Sequence, residues 1–374
     1  MEVTFVKKIV YPDYKNCIAN VPNSILRYYG LGLVGDPLPL LDQYLNKPYK
    51  NVVLLLLDGM GKNILEKHLS AEGTFRKNLK GIYKSVFLST TTVATTSLLS
   101  GLQPCQHAWL GWDCYYPQID KNVTAFLNTV QGTKTPAADF HVASTFTPYE
   151  KIVDKISKGG VRTCHIAPYL LPDKEDITID FICRKIKEYC DEPERKLVYA
   201  YWNNPDGDLH RFGVNSKEVH EGLIYIEKTV TKLTETLTDT LFIITADHGH
   251  LDTDGVKIQN YPKIMDCLER MPSLEPRALN FFVKPGKEAF FEKEFNKEFG
   301  SKFILMPMQE ALDKKLFGDK APEAWHKCFR SMLGNYLAIA TDDLSIFFDD
   351  DFLLSMHGGL TEEEMLIPLI VMEK

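Results

Sequence analysis

Four short segments place carboxylates and imidazoles beside glycines. Asp58 ends the apolar run 52–57 and is followed by Gly59. Asp206 and His210, four residues apart, follow the apolar stretch 196–202. Asp247 and His248 come just after the run 240–245 and precede Gly249 and His250. His357 precedes Gly358 and Gly359, shortly before a last apolar run at 366–372. Carboxylate oxygen and neutral imidazole nitrogen are natural donors for zinc or a similar divalent ion. An i, i+4 pair such as Asp206/His210 can face one point from a single helical turn. Taken singly, each pair is explained as well by a hydrogen bond or a helix cap. Gathered at one edge without a cation they would carry a heavy desolvation cost, and a metal charge is the usual remedy.

A fifth segment, 89–100, is crowded with hydroxyls, among them Thr90, Thr91 and Thr92. It reads as a turn entering a helix. Helix N-termini offer free N–H groups and a positive dipole end, which suits a phosphate oxygen. A hydroxyl beside a divalent ion has a lowered pKa and can attack phosphorus. The same side chains would serve as simple caps, and periodicity does not say which threonine would act.

The elements needed to gather these segments are those of an α/β protein. An apolar run without alternation, closed by an acid and a glycine, is how a buried parallel strand delivers a charged residue to the carboxyl edge of a sheet. Open α/β sheets hold their sites outside that edge. Further strands are expected at 85–88, 161–166, 196–202, 240–245 and 366–372, with Pro368 placing the last near an edge. Helices are expected at 61–69, 94–100, around 174–191 and at 216–237. This alternation predicts a mostly parallel central sheet flanked by helices. The rhythm breaks at 270–345, where strands at 280–284, 303–306, 337–340 and 345–348 and an amphipathic helix at 287–299 predict a small α+β insertion. The last two strands are expected to pair. The catalytic domain is then 1–269 with 346–374.

Length and composition fit this reading. The chain has 374 residues, 44% hydrophobic and 25% charged, as ordinary globular domains do. A net charge of −7 without a basic run argues against a nucleic-acid surface. The opening residues lack a signal-peptide core, and no apolar run is long enough to span a bilayer. Eight scattered cysteines without a CxxC pair point to thiols in a reducing cytoplasm. Nothing in the sequence sets the oligomeric state.

Taken together, Asp58-Gly59, the threonine-rich turn leading to Ser100-Gly101-Leu102-Gln103-Pro104, Pro205-Asp206 through His210, Asp247-His248-Gly249 and His357-Gly358-Gly359 occur in the order seen in the alkaline phosphatase superfamily. The chain most resembles its type I phosphodiesterase/nucleotide pyrophosphatase branch. That resemblance implies a site for two divalent ions, zinc first, with manganese or iron also acceptable. Asp58, Thr91, Asp247 and His248 would hold one; Asp206, His210 and His357 would hold the other. Counting back ten from Gly101 lands on Thr91, where the family keeps its nucleophile. One position departs from the pattern. Nucleotide-hydrolysing members carry a phosphate-holding asparagine about where Trp112 stands, twenty-one residues past Thr91. An indole there would offer an aromatic wall for a base or another leaving group.

The implied activity is hydrolysis of a small phosphate ester or nucleotide-like substrate through a covalent phospho-threonine. A phosphomonoesterase or phosphomutase of the same superfamily, or a catalytically silent metal-binding protein, are the competing expectations. Lys62 and Arg277 are candidate phosphate contacts, with ordinary ion pairing as the other explanation.

Overall fold

The computed structural model describes residues 7–170 and 177–374. The first six residues, and positions 174–176 of the helix expected around 174–191, lie outside them. The central sheet has six strands in the order Leu79–Lys84, Leu366–Glu373, Thr240–Thr245, Asn51–Leu57, Lys196–Trp202, Arg162–Ile166. The last four run parallel to one another, and Leu366–Glu373 is antiparallel to both its neighbours. Asn51–Leu57 is buried along its whole length because strands flank it and helices pack over the sheet. That is why its sequence shows no alternation. Pro368 lies opposite Ile82 of the edge strand, one place in from the rim.

Register is what assembles the site. Leu57 pairs with Trp202, and Leu56 with Thr245. The residues that follow these three strands therefore emerge together at one carboxyl edge. The turn after Asp58 is cramped: a Cβ on Gly59 (φ +74°) would lie 3.0 Å from Asp206 Cα, and one on Gly61 only 2.4 Å from Gly249 Cα. Glycine there lets the Asp58 turn touch both neighbouring segments.

A second, seven-stranded sheet runs Phe303–Pro307, Tyr336–Ala340, Ala278–Phe281, Ser273–Glu275, Asp113–Tyr116, Lys121–Thr124, Thr129–Val130. Strands of the 270–345 segment thus share their sheet with three from 113–130. The helix Glu288–Phe299 turns Phe291, Phe295 and Phe299 inward at four-residue spacing. With Phe281 and Phe303 they form a core of their own. Each buried phenylalanine contributes about 2–3 kcal/mol by area removed from water.

Three local expectations need correction. Residues 85–88 are buried but form no strand; the edge strand is Leu79–Lys84, and its ladder ends where Lys84 meets Leu366, the first residue of its partner. Beyond that point the Ser85 N–H bonds to Met365 O and its hydroxyl to Asp247 O, turning the chain towards the threonine segment. The strands expected at 337–340 and 345–348 do not pair with each other. Tyr336–Ala340 already has partners on both edges, so Leu344–Phe347 pairs instead with Asp254–Lys257. The strand expected at 280–284 is Ala278–Phe281.

Candidate active site

The helix expected from 94 begins earlier, as Thr91–Ser100, with Thr90 as its extended N-cap. This separates the three threonines. The Thr90 hydroxyl donates to Glu275 Oε1 at 2.7 Å, and Thr92 is buried inside the helix packing. Thr91, the first helical residue, places Oγ1 3.1 Å from His248 Nε2 and 3.4 Å from Asp58 Oδ1.

Asp58, Asp247 and His248 converge beside that hydroxyl. His248 Nε2 lies 3.4 Å from Asp58 Oδ1 and 3.5 Å from Asp247 Oδ2. Asp58 Oδ2 accepts from the Tyr201 hydroxyl at 2.5 Å. Asp247 Oδ1 accepts from the Gly59 and His248 N–H groups, at 3.1 and 3.0 Å. Its Oδ2 is buried with no hydrogen-bond partner.

A second cluster adjoins the first, with the His248 and His357 rings stacked at 3.7 Å between centroids. Asp206 Oδ1 lies 3.3 Å from His210 Nε2, 3.6 Å from His357 Nε2 and 2.7 Å from His250 Nε2. Two of these rings are tied by Nδ1 to backbone carbonyls, His210 to Ser355 O at 2.7 Å and His357 to Ser89 O at 3.2 Å. A nitrogen facing a carbonyl must be the donor, which leaves each Nε2 lone pair directed at the cluster.

The electrostatics of the two clusters favour binding of a cation. Burial, then the neighbouring Asp206, pushes the Asp58 pKa well above the usual carboxylate range. Burial, then Asp58, does the same to Asp247. Burial also acts to raise Asp206, but the rings of His210, His250 and His357 outweigh it and hold that carboxyl well below its ordinary value. Burial lowers His250 to about 3 and His357 far below the usual imidazole value. The neutral His357 ring beside crowded carboxylates, one of them with an orphaned oxygen, suits a divalent cation.

All seven residues singled out as ligands or nucleophile meet here. Trp112 stands apart on the wall of an adjoining cavity of about 710 Å³, 39% exposed. Trp109, Phe126, Tyr149 and Tyr201 also line it, together with Asp58, Thr91 and Asp206. The Trp112 backbone N–H donates to Glu275 Oε1 at 2.8 Å.

Lys62 and Arg277 do not reach the site. Lys62 pairs with Glu362 at 2.8 Å. Arg277 is fully buried and forms a two-pronged ion pair with Glu364, which also accepts from Gly359 and Thr361 N–H and so fixes the loop after His357. Replacing Arg277 with leucine is expected to cost about 3–5 kcal/mol, because Glu364 is left buried and unpaired. Chemical denaturation measures this; a loss below 1 kcal/mol would contradict the pairing.

His250, Tyr201 and Glu275 were not foreseen as site residues. His250 had a signal, lying two past His248 on the far side of a glycine. Tyr201 occupies the penultimate position of a strand whose end is at the site. Glu275 comes from the second sheet and carries no local signature.

The family profile for type I phosphodiesterase / nucleotide pyrophosphatase matches residues 52–297. Among solved structures, human ectonucleotide pyrophosphatase/phosphodiesterase 5 superposes with a TM-score of 0.64 at 19% identity, covering 86% of this chain and 87% of its own. The murine counterpart, in an inactive threonine-to-alanine form complexed with AMP, gives 0.61 at 19% identity, with coverages of 86% and 87%. Phosphonoacetate hydrolase from Sinorhizobium meliloti 1021, in complex with phosphonoacetate, gives 0.61 at 14% identity, with coverages of 87% and 89%. Comparison with curated protein sequences gives no match. The family match defines a phosphoric ester hydrolase, and the shared fold is that of the alkaline phosphatase superfamily. Within it, the chain belongs to the type I phosphodiesterase/nucleotide pyrophosphatase family. No helix among the described residues is long and apolar enough to cross a membrane.

Proposed function

We propose that the protein hydrolyses a phosphodiester or pyrophosphate bond of a small, nucleotide-like substrate through a covalent phospho-Thr91. The observation that carries this is the Thr91 hydroxyl, alone of three adjacent threonines, facing Asp58 and His248 on the lining of an aromatic cavity. Asp58, Thr91, Asp247 and His248 would hold one divalent ion, and Asp206, His210 and His357 a second; zinc is the first candidate, then manganese or iron. When bound, such ions supply Lewis acidity, lowering the pKa of a hydroxyl and neutralising charge on the phosphoryl group.

The remaining work falls to the chain. Thr91 Oγ1 attacks phosphorus in line, the ester oxygen leaves, and water then displaces Thr91. The helix Thr91–Ser100 turns its positive end towards the phosphoryl oxygens. The aromatic walls hold the organic group, and Trp112 takes the place of an amide with a flat apolar surface. The AMP-bound neighbour, inactive with a threonine replaced by alanine, supports both the nucleotide-like substrate and the nucleophile. Eight free, buried cysteines support a reducing compartment such as the cytoplasm.

Metal-defined enzyme assayed against phosphomonoesters, phosphodiesters, nucleotides and phosphonates tests this reading. Diesters or nucleotide pyrophosphates are expected to lead; a monoester leading by tenfold would overturn the diester assignment. Trp112→Ala is expected to raise KM for aryl or nucleotide substrates about 3–10-fold with little change in kcat, the size of one aromatic contact. An unchanged KM across that panel would remove the indole from the substrate wall.

A further inference from the structure

We propose that His250 is a positioning residue rather than a metal ligand: with Ser355, it clamps the Asp206 carboxylate in place for the second ion, the one Asp206, His210 and His357 would hold, here termed the outer ion. The inference rests on the two-ion reading above. Three imidazole Nε2 atoms surround Asp206 Oδ1, but at different distances. Two ligands sharing one tetrahedral ion stand about 3.3 Å apart, given metal–donor bonds of roughly 2.0–2.1 Å. His210 at 3.3 Å and His357 at 3.6 Å have that spacing. His250 at 2.7 Å does not; it is at hydrogen-bond distance.

The far side of each ring agrees. His210 and His357 face backbone carbonyls with Nδ1, which obliges Nδ1–H and frees Nε2. His250 Nδ1 instead faces the Ser355 hydroxyl at 2.9 Å, a group able to donate. With Ser355 Oγ–H donating to Nδ1, the proton of the neutral ring sits on Nε2 and is given to Asp206 Oδ1. Ser355 thus serves two rings at once, its carbonyl orienting His210 and its hydroxyl setting the His250 tautomer. Its place is fixed by pairing with Asp252, two residues beyond His250. The ring is fully buried and held at both nitrogens, which fixes its orientation.

The test uses the full chain loaded with Co(II) or Zn(II), in wild type and in His250→Gln, His250→Phe, Ser355→Ala and His210→Ala. Metal content, dissociation constants and the Co(II) visible spectrum are read, with folding checked by circular dichroism. His250→Gln keeps a side-chain N–H donor, so it is expected to bind two ions with an unchanged Co(II) spectrum and an affinity within a few-fold of wild type. His250→Phe fills the space without a donor and is expected to weaken only the outer ion, about 10–100-fold. Ser355→Ala is expected to fall between them, and His210→Ala to lose the outer ion. If His250→Gln loses that ion as fully as His210→Ala, or alters the Co(II) bands, His250 is a ligand and the proposal fails. It also fails if His250→Phe binds both ions as wild type does. A wild type that takes up no second ion would instead overturn the two-ion reading beneath it.

Discussion

Thr91→Ala is expected to lower kcat by roughly 10³-fold or more while leaving the metal content and fold intact. The reason is local. Thr91 contributes a single oxygen to the cluster, whereas Asp58, Asp247 and His248 sit within reach of one another without it. Removing the methyl and hydroxyl opens space on the cavity side of the first helical turn, not in the core. Thr91→Ser keeps the oxygen and should retain measurable turnover, separating loss of the nucleophile from loss of packing. Rapid acid quench followed by peptide mass spectrometry should find phosphate on Thr91 in wild type and none in the alanine variant. Near-normal turnover in Thr91→Ala would remove the covalent mechanism. Thr90→Ala and Thr92→Ala are the natural controls, because those hydroxyls turn away from the cluster.

Removing divalent ions should have the second large effect, on both activity and stability. Chelation is expected to abolish turnover and to lower Tm by about 5 °C for each ion lost. That follows from about 4 kcal/mol of linkage at roughly a thousandfold excess over Kd, spread over the unfolding entropy of a chain this long. The loss should depend on pH, with a definite sign. Without ions, Asp58 and Asp247 have folded pKa values raised above the unfolded value of about 4, burial being the first cause in each. Below that pH both states hold the protons and nothing is lost. As pH rises the unfolded chain releases them first, so stability of the metal-free protein falls until the folded pKa values are passed. Metal binding needs the carboxylates ionised, so it strengthens over the same range. The Tm gap between loaded and metal-free protein should therefore widen from pH 5 to pH 8. A gap that is flat, or that narrows, would show that these carboxylates do not bind the ions.

Much of the architecture was legible because it is written locally. Asn51–Leu57, Lys196–Trp202 and Thr240–Thr245 are continuous apolar runs, and such runs form buried strands wherever helices cover the sheet. The acids and imidazoles after them were legible for the same reason, since a polar residue at the end of such a run must leave the core at the carboxyl edge. The helix Glu288–Phe299 declared itself through phenylalanines at four-residue spacing. Short pairing preferences were not legible. Leu344–Phe347 pairs with Asp254–Lys257 because the edges of Tyr336–Ala340 were already taken, a fact of the whole sheet.

Which side chains arrive at the sheet edge is thus written along the chain, because strand burial and chain direction are properties of contiguous residues. What each of them does there is set by the folded packing. Arg277 is drawn away to Glu364, His250 is set at hydrogen-bond distance from Asp206, and Thr91 rather than Thr90 faces the cluster. Those outcomes depend on ångström-scale separations between segments up to 185 residues apart. Such separations are set by sheet register and close packing, and neither is recorded in the spacing of residues along the chain.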